Sequence, residues 1–154
     1  MKFSRKSAYA IRALTCLGSP AAPEVLSIQE IADQEKIPKK FLEQVLLALK
    51  RAGIVQSSRG KTGGYALREA PAGVTLGDIV RAVEGPIAPL PCANTEAPVK
   101  CSDCFDLMQC WLRAVMVEVG TGVNAVLEQI TLADLCRRAA QSQRRRAQAL
   151  MYEI

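Results

Sequence analysis

The sequence contains no histidine among its 154 residues. That absence excludes a Ser-His-Asp or Cys-His centre, a His-ligated zinc enzyme and imidazole acid–base catalysis. Neither GxGxxG nor GxxxxGKS/T occurs, so the usual dinucleotide and nucleotide cradles are missing. No apolar run approaches the ~20 residues that span a bilayer; Val45-Leu46-Leu47-Ala48-Leu49 is among the longest. The start, Met1-Lys2-Phe3-Ser4-Arg5-Lys6-Ser7, carries charge with no apolar segment behind it, so no secretory signal is apparent. No acid–base pair or activated nucleophile stands out. The expectation is a soluble cytoplasmic protein that is not an enzyme, with no membrane partner and no small-molecule substrate.

What is present points to binding. Hydrophobic residues make up 49% of the chain and charged residues 23%, a globular composition. The net charge is +5, and all of it lies in residues 1–84, because residues 85–154 balance. Between 36 and 68, Lys36, Lys39, Lys40, Lys50, Arg51, Arg59, Lys61 and Arg68 face only Glu43. Such a stretch suits a phosphate-binding surface, since each neutralised phosphate releases condensed counterions. A solvated basic face would show the same charge, so the surrounding pattern has to decide.

Apolar residues at helical spacing predict a helix over about residues 5–17, followed by breakers at Gly18-Ser19-Pro20. Ser27 and Glu30 form a capping-box pattern, opening a short helix to about Gln34. Pro38 suits the first turn of a second helix, over 38–51, whose inner face is predicted as Phe41, Leu42, Val45, Leu46 and Leu49. Two short helices joined by a tight turn, the second basic outside, make a helix-turn-helix over about 28–51. Residues 54–58 and 65–68 flank the glycine-rich basic turn Arg59-Gly60-Lys61-Thr62-Gly63-Gly64, which reads as a hairpin. Beside a helix-turn-helix that hairpin is a wing, at about 54–68, whose tip glycines are expected at positive φ and close to phosphate.

Thr75-x-x-Asp78 opens another helix that ends at Gly85-Pro86. Residues 85–110 read as a cysteine-rich loop broken by Pro86, Pro89, Pro91 and Pro98. A long helix is predicted from about Phe105 to Ile130, with Met108, Leu112, Val115, Val119, Val126 and Ile130 near a heptad seam. That stripe is wider than a small domain covers alone, so a helix–helix dimer is its natural partner. Gly120 and Gly122 inside it mark a close backbone approach or a kink. Thr131-x-x-Asp134 caps a last, Arg-rich helix. The predicted fold is mainly α with a small β-hairpin wing: a winged helix-turn-helix over 1–84, the cysteine loop, and the dimerisation and C-terminal helices over 105–154.

Six cysteines in a cytoplasmic chain favour metal binding or thiol chemistry over a disulfide framework. Cys92, Cys101, Cys104 and Cys110 are grouped as C-x8-C-x2-C-x5-C in and beside the loop. Proline-broken backbone between thiolates lets them converge on one soft metal. Zinc accepts four thiolates, and Cys101-x-x-Cys104 is a good half-site. An iron–sulfur cluster tolerates the irregular spacing better, because its inorganic core is larger. Both remain open on spacing alone. Cys16 and Cys136 sit among apolar helical neighbours and read as packed. A small electron carrier would explain the thiols but has no use for the basic wing.

Several segments together resemble one family. They are Ser27-x2-Glu30-Ile31-Ala32, Phe41-Leu42-Glu43-Gln44-Val45-Leu46, Lys50-x-Ala52-Gly53-Ile54-Val55 and Arg59-Gly60-x2-Gly63-Gly64-Tyr65-x-Leu67. Thr75-Leu76-x2-Ile79-Val80-x-Ala82-Val83-Glu84-Gly85 and Ile130-Thr131-Leu132-Ala133-Asp134-Leu135 continue the match, to about residue 136. The chain is similar to the Rrf-two family of bacterial winged-helix regulators, some of which hold iron–sulfur clusters and some of which do not. The resemblance implies a homodimeric transcription factor on a dyad-symmetric duplex DNA site. Its DNA affinity would respond to a cluster of the two-iron or four-iron type that senses iron–sulfur status, iron, redox state or nitric oxide. Zinc or thiol–persulfide sensing is the alternative.

By the same resemblance, Glu43 and Gln44 read base edges and Arg59 enters a minor groove. Lys39, Lys40, Lys61 and the backbone of Gly63 and Gly64 contact phosphate. Cys92, Cys104 and Cys110 match the family's three ligands. The sequence departs from the pattern in the long Cys92–Cys104 interval, the extra Cys101 and the lack of the histidine that serves some relatives as fourth ligand. Others use an acid near the partner's N-terminus, where Ala8 stands. Cys101 is therefore inferred to be the fourth ligand here, the alternative being a solvent or small-molecule ligand.

Overall fold

In the structure, a computed structural model, residues 3–60 and 63–152 are described. Among them lie helices α1 (Arg5–Leu17), α2 (Ile28–Glu35) and α3 (Lys39–Arg51), then strands β1 (Val55–Ser58) and β2 (Gly64–Leu67). Helices α4 (Leu76–Glu84), α5 (Trp111–Gln129) and α6 (Leu132–Tyr152) complete the order, with single 3-10 turns at Pro71–Gly73 and Pro91–Ala93. The mainly helical fold with a small hairpin wing is the one the sequence predicts. Lys61 lies outside the described residues.

Three helix starts follow from side chains that fold back on the backbone. Ser27 accepts from the Glu30 N–H while Glu30 accepts from Ser27, and Thr75/Asp78 repeats this at α4. Thr131 and Asp134 do the same at α6, over distances of 3.2 and 3.0 Å. The starts of α4 and α6 are also tied together, since Leu76 N–H donates to the Ile130 carbonyl at 2.7 Å and Leu132 N–H to the Val74 carbonyl at 2.8 Å.

α1 is the central element, packed by α2, α3, α4 and α6. Leu14, Ile31, Leu42, Val45, Leu46, Leu49, Ile79 and Leu132 are fully buried around it. Phe41 does not join this inner face as predicted. It is 53% exposed and meets Tyr9 edge-on, with ring centroids 6.3 Å apart. At 100° per residue, position 41 falls on the flank of the row set by Leu42, Val45, Leu46 and Leu49.

Ser7 is a completely buried polar residue in α1, and it donates to Glu84 Oε1 at 2.6 Å. Ser4 donates to the same oxygen. Burial pushes the Glu84 carboxyl up, but the Ser4 and Ser7 hydroxyls outweigh it and hold the group below its ordinary value. The stabilisation is therefore complete above the unfolded carboxylate value, about 4.3, and is lost as pH falls through the lower folded value. Glu84→Gln is expected to cost about 1 kcal/mol near neutral pH, after discounting for solvent screening. Thermal unfolding across acid and neutral pH should show that gap narrowing below about pH 4; a pH-independent gap would contradict the assignment.

The long helix begins at Trp111 rather than near Phe105. Asp106 Oδ1 takes the Met108 N–H at 2.8 Å in a local turn that competes with helix, and Cys110 becomes the N-cap. Along α5, Leu112, Val115, Val119 and Val126 are exposed, between 41% and 57%, and Gly122 completes their three–four spacing. A Cβ on Gly122 would meet nothing within 4 Å, whereas Gly120 is buried with the Pro89 ring 3.1 Å from where its Cβ would sit. One glycine thus lies on the open seam and the other admits the cysteine loop.

Candidate nucleic-acid interface and cysteine site

The turn between α2 and α3 is made by Lys36, which adopts a left-handed conformation (φ 53°, ψ 43°) and donates its N–H to the Ala32 carbonyl. Buried Ile37 follows and anchors the turn in the core. Arg12 on α1 holds Glu35 at the end of α2, its Nε 3.0 Å from the carboxylate. Pro38 occupies the N-cap of α3, just outside the first turn, and supplies no side-chain cap. The Phe41 and Leu42 N–H groups donate to the Pro38 carbonyl, and the helix opens beside exposed Lys39 and Lys40, whose charge favours an anion at this end.

Because Leu42, Val45, Leu46 and Leu49 face the core, the opposite row of α3 presents Lys40, Glu43, Gln44, Leu47 and Arg51 to solvent. Lys50 turns toward the hairpin, its Nζ donating to Ser57 Oγ at 2.6 Å. Among the described residues, no ion pair engages Lys39, Lys40, Lys50, Arg51 or Arg59. Their charge is available to a ligand.

β1 and β2 pair antiparallel in the register Val55↔Leu67 to Ser58↔Gly64. Leu26 adds a third, one-residue strand through two bonds with Tyr65, at 3.0 and 2.8 Å. Arg59 is exposed where the hairpin turns. The positive φ expected of the tip glycines occurs among the described residues only at Gly60 (φ 114°). Gly63 and Gly64 serve close approach instead. A Cβ on Gly63 would lie 2.7 Å from the Ser58 carbonyl oxygen, and one on Gly64 only 2.3 Å from that of Leu26. Leu26 was not legible as a wing strand, because its pairing is set by a residue nearly forty positions away.

The four grouped cysteines come from three places. Cys92 sits buried in the 3-10 turn Pro91–Ala93, Cys101 and Cys104 lie on the following loop, and Cys110 caps α5. Arg113 Nε donates to the Cys92 carbonyl at 2.9 Å, binding the loop back onto α5. The Cys104 thiol donates to the Asp106 carbonyl at 3.3 Å. Loss of water and the neighbouring Cys101 hold the Cys92 thiol above its ordinary value. Loss of water, then Cys110 and Cys101, do the same for Cys104. Cys110 is shifted down, chiefly by the Arg113 backbone N–H in the first turn of α5, with Cys104, the Leu112 N–H and the Arg113 charge assisting.

These mutual effects place Cys92 beside Cys101 and Cys104 beside Cys110. Cys101 also neighbours Cys104, so the four thiols form a chain of neighbours, although among the described residues no three ligand-type side chains are placed to hold a metal. In donor type the residues suit a soft, thiolate-held centre, with Cys101 the exposed member of the four. Cys16 is different: it is 8% exposed, lies 3.1 Å from Gln34 Oε1, and has its thiol pushed up to about 11 by burial, then by Glu35 and Glu30. Cys136 is half-buried against α1, its Sγ occupying the space a Cβ on Gly18 would need.

Arg81 links the helix before this loop to the helix after it, meeting Asp78 on α4 at 3.0 Å and Glu128 on α5 at 2.6 Å. No helix among the described residues is long and apolar enough to cross a membrane.

Comparison with known proteins supplies the context. The Rrf2 model, described as an iron-dependent transcriptional regulator, matches residues 3–138. A Rhodobacter capsulatus protein named as an rrf2-like HTH-type transcriptional regulator is 42% identical over 135 residues, covering 86% of this chain and 90% of that one. The structure of CymR, the global cysteine regulator of B. subtilis, superposes with a TM-score of 0.70 at 30% identity, over 90% of this chain and 98% of that one. IscR of T. potens gives a TM-score of 0.66 at 29% identity, over 93% and 91% of the two chains.

Proposed function

The chain belongs to the Rrf2 family of DNA-binding transcriptional regulators, which are not enzymes, and we propose that it works as a cytoplasmic homodimer whose grip on a dyad-symmetric operator is set by an iron–sulfur cluster in the loop over 85–110. The observation that carries this reading is that Cys92, Cys101, Cys104 and Cys110 all lie on the one segment that leads from α4 into the first turn of α5. When bound there, a two-iron or four-iron cluster would supply a centre whose presence and charge respond to iron, oxidant or nitric oxide. Cys92, Cys104 and Cys110 would hold it, with Cys101 as fourth thiolate.

The protein's own groups would do the rest. Cys92 and Cys110 tether the loop to α5, and Arg81 joins α4 to the same helix, so ordering the loop fixes one DNA-binding unit relative to the other. On DNA, Glu43 and Gln44 of α3 read base edges, cytosine and adenine suiting them respectively. Arg59 at the wing enters the minor groove. Lys39, Lys40 and Lys61, with the backbone of Gly63 and Gly64, position the complex on phosphate.

Selection of duplexes from a random pool by the full chain tests this directly. A dyad-symmetric consensus is expected, and Arg59→Ala should weaken binding to it about 5- to 150-fold. Recovery of no preferred sequence would contradict the operator reading. A second reading rests on the likeness to CymR: a cluster-free regulator in which the same cysteines act through thiol, persulfide or zinc chemistry.

A further inference from the structure

Leu47 is an apolar side chain in the middle of a charged surface. The outward row of α3 runs Lys40, Gln44, Leu47, Arg51 at helical spacings of four, three and four, with Glu43 beside it. Every other member carries polar or charged groups. Leu47 is 48% exposed although the core row of the same helix is buried completely, so it stands outside the core that an apolar side chain ordinarily serves. Phe41, the other exposed apolar residue of α3, differs in leaning on Tyr9 at the flank.

The surroundings name the occupant. Lys39, Lys40, Lys50 and Arg51 flank Leu47 on the same helix, and the segment over 36–68 holds eight cations against Glu43. A neutral protein surface would gain little from such a rim, whereas duplex DNA matches it. Within the major groove the apolar feature on a base edge is the C5-methyl of thymine. Leu47 lies one helical step, about 5–6 Å, from Gln44, close enough to reach a pair next to one that Gln44 reads.

We propose that Leu47 is a specificity residue that reads a thymine methyl in each half-site. This rests on the reading of α3 as the major-groove helix. Leu47 excludes water from the methyl and offers no hydrogen bond, so it discriminates thymine from cytosine at a position where the polar neighbours do not.

The test uses the full chain and the duplex obtained by random selection. Failure to obtain any preferred duplex would contradict the operator reading itself, and it is distinguishable from failure of the methyl contact alone. With a site in hand, each thymine is replaced in turn by deoxyuridine, which removes only the methyl and keeps the pairing. One symmetry-related pair of thymines is expected at which uracil weakens wild-type binding about fourfold per half-site. Leu47→Ala should bind the thymine and uracil duplexes equally, while unfolding at the wild-type temperature, and Leu47→Met should keep the penalty. Absence of any methyl-sensitive thymine, or a penalty that persists unchanged in Leu47→Ala, would overturn the proposal.

Discussion

Val119→Asp on α5 is expected to make the protein monomeric and to weaken binding to a dyad-symmetric duplex by more than about 100-fold. Val119 is 47% exposed at the centre of a seam formed by Leu112, Val115, Gly122 and Val126. In a dimer packed along this seam the aspartate would be a charge in an apolar interface, once in each protomer. The isolated chain has no such conflict, because position 119 does not reach its core. The variant should therefore unfold cooperatively near the wild-type temperature and still bind single half-sites weakly. Sedimentation at micromolar concentration and titration against full and half operators would check both parts. A dimeric Val119→Asp would place the subunit contact elsewhere.

Replacing Cys104 or Cys110 by serine is expected to have an effect as large on metal content. Loss of a ligand should cost at least the 10- to 100-fold typical of removing an outer-sphere partner. Anaerobically purified Cys104→Ser and Cys110→Ser should then retain under about a tenth of the wild-type iron and acid-labile sulfide. Cys110 is the more exposing test, because its thiol is the one shifted down among the four, chiefly by the Arg113 backbone N–H in the first turn of α5. Cys16→Ser is the control: its thiol lies in the core beside Gln34, is pushed up to about 11, and should leave iron unchanged. Cys101→Ser separates the two fourth-ligand readings. Loss of iron supports an all-thiolate site, and full retention assigns the fourth position to another ligand.

Local chemistry made much of the fold legible. Each of the three capping boxes joins residues three apart, so Ser27, Thr75 and Thr131 announce the starts of α2, α4 and α6 without reference to the rest of the chain. The wing and the outward cations of α3 were legible for the same reason. Features fixed across the chain were not. Leu26 joins the wing through Tyr65, and buried Ser7 exists because Glu84 on α4 receives it. Phe41 falls on the flank of the helical period, and there it meets Tyr9 on α1. The Asp106 turn that delays α5 competes with an apolar pattern already looking helical, and the hydrogen bond to Met108 decides the outcome. For the cysteines, spacing defined the set, while which thiols neighbour one another, Cys101 lying near both Cys92 and Cys104, required the loop's path between α4 and α5.

The most direct measurement compares operator affinity for one anaerobic preparation before and after its iron is removed by chelation, with iron, sulfide and zinc determined on both samples. Matched iron and sulfide in the first sample, and a change in affinity of about 5- to 150-fold on their removal, is the predicted result. A preparation without iron, or equal affinities with and without it, would contradict cluster control.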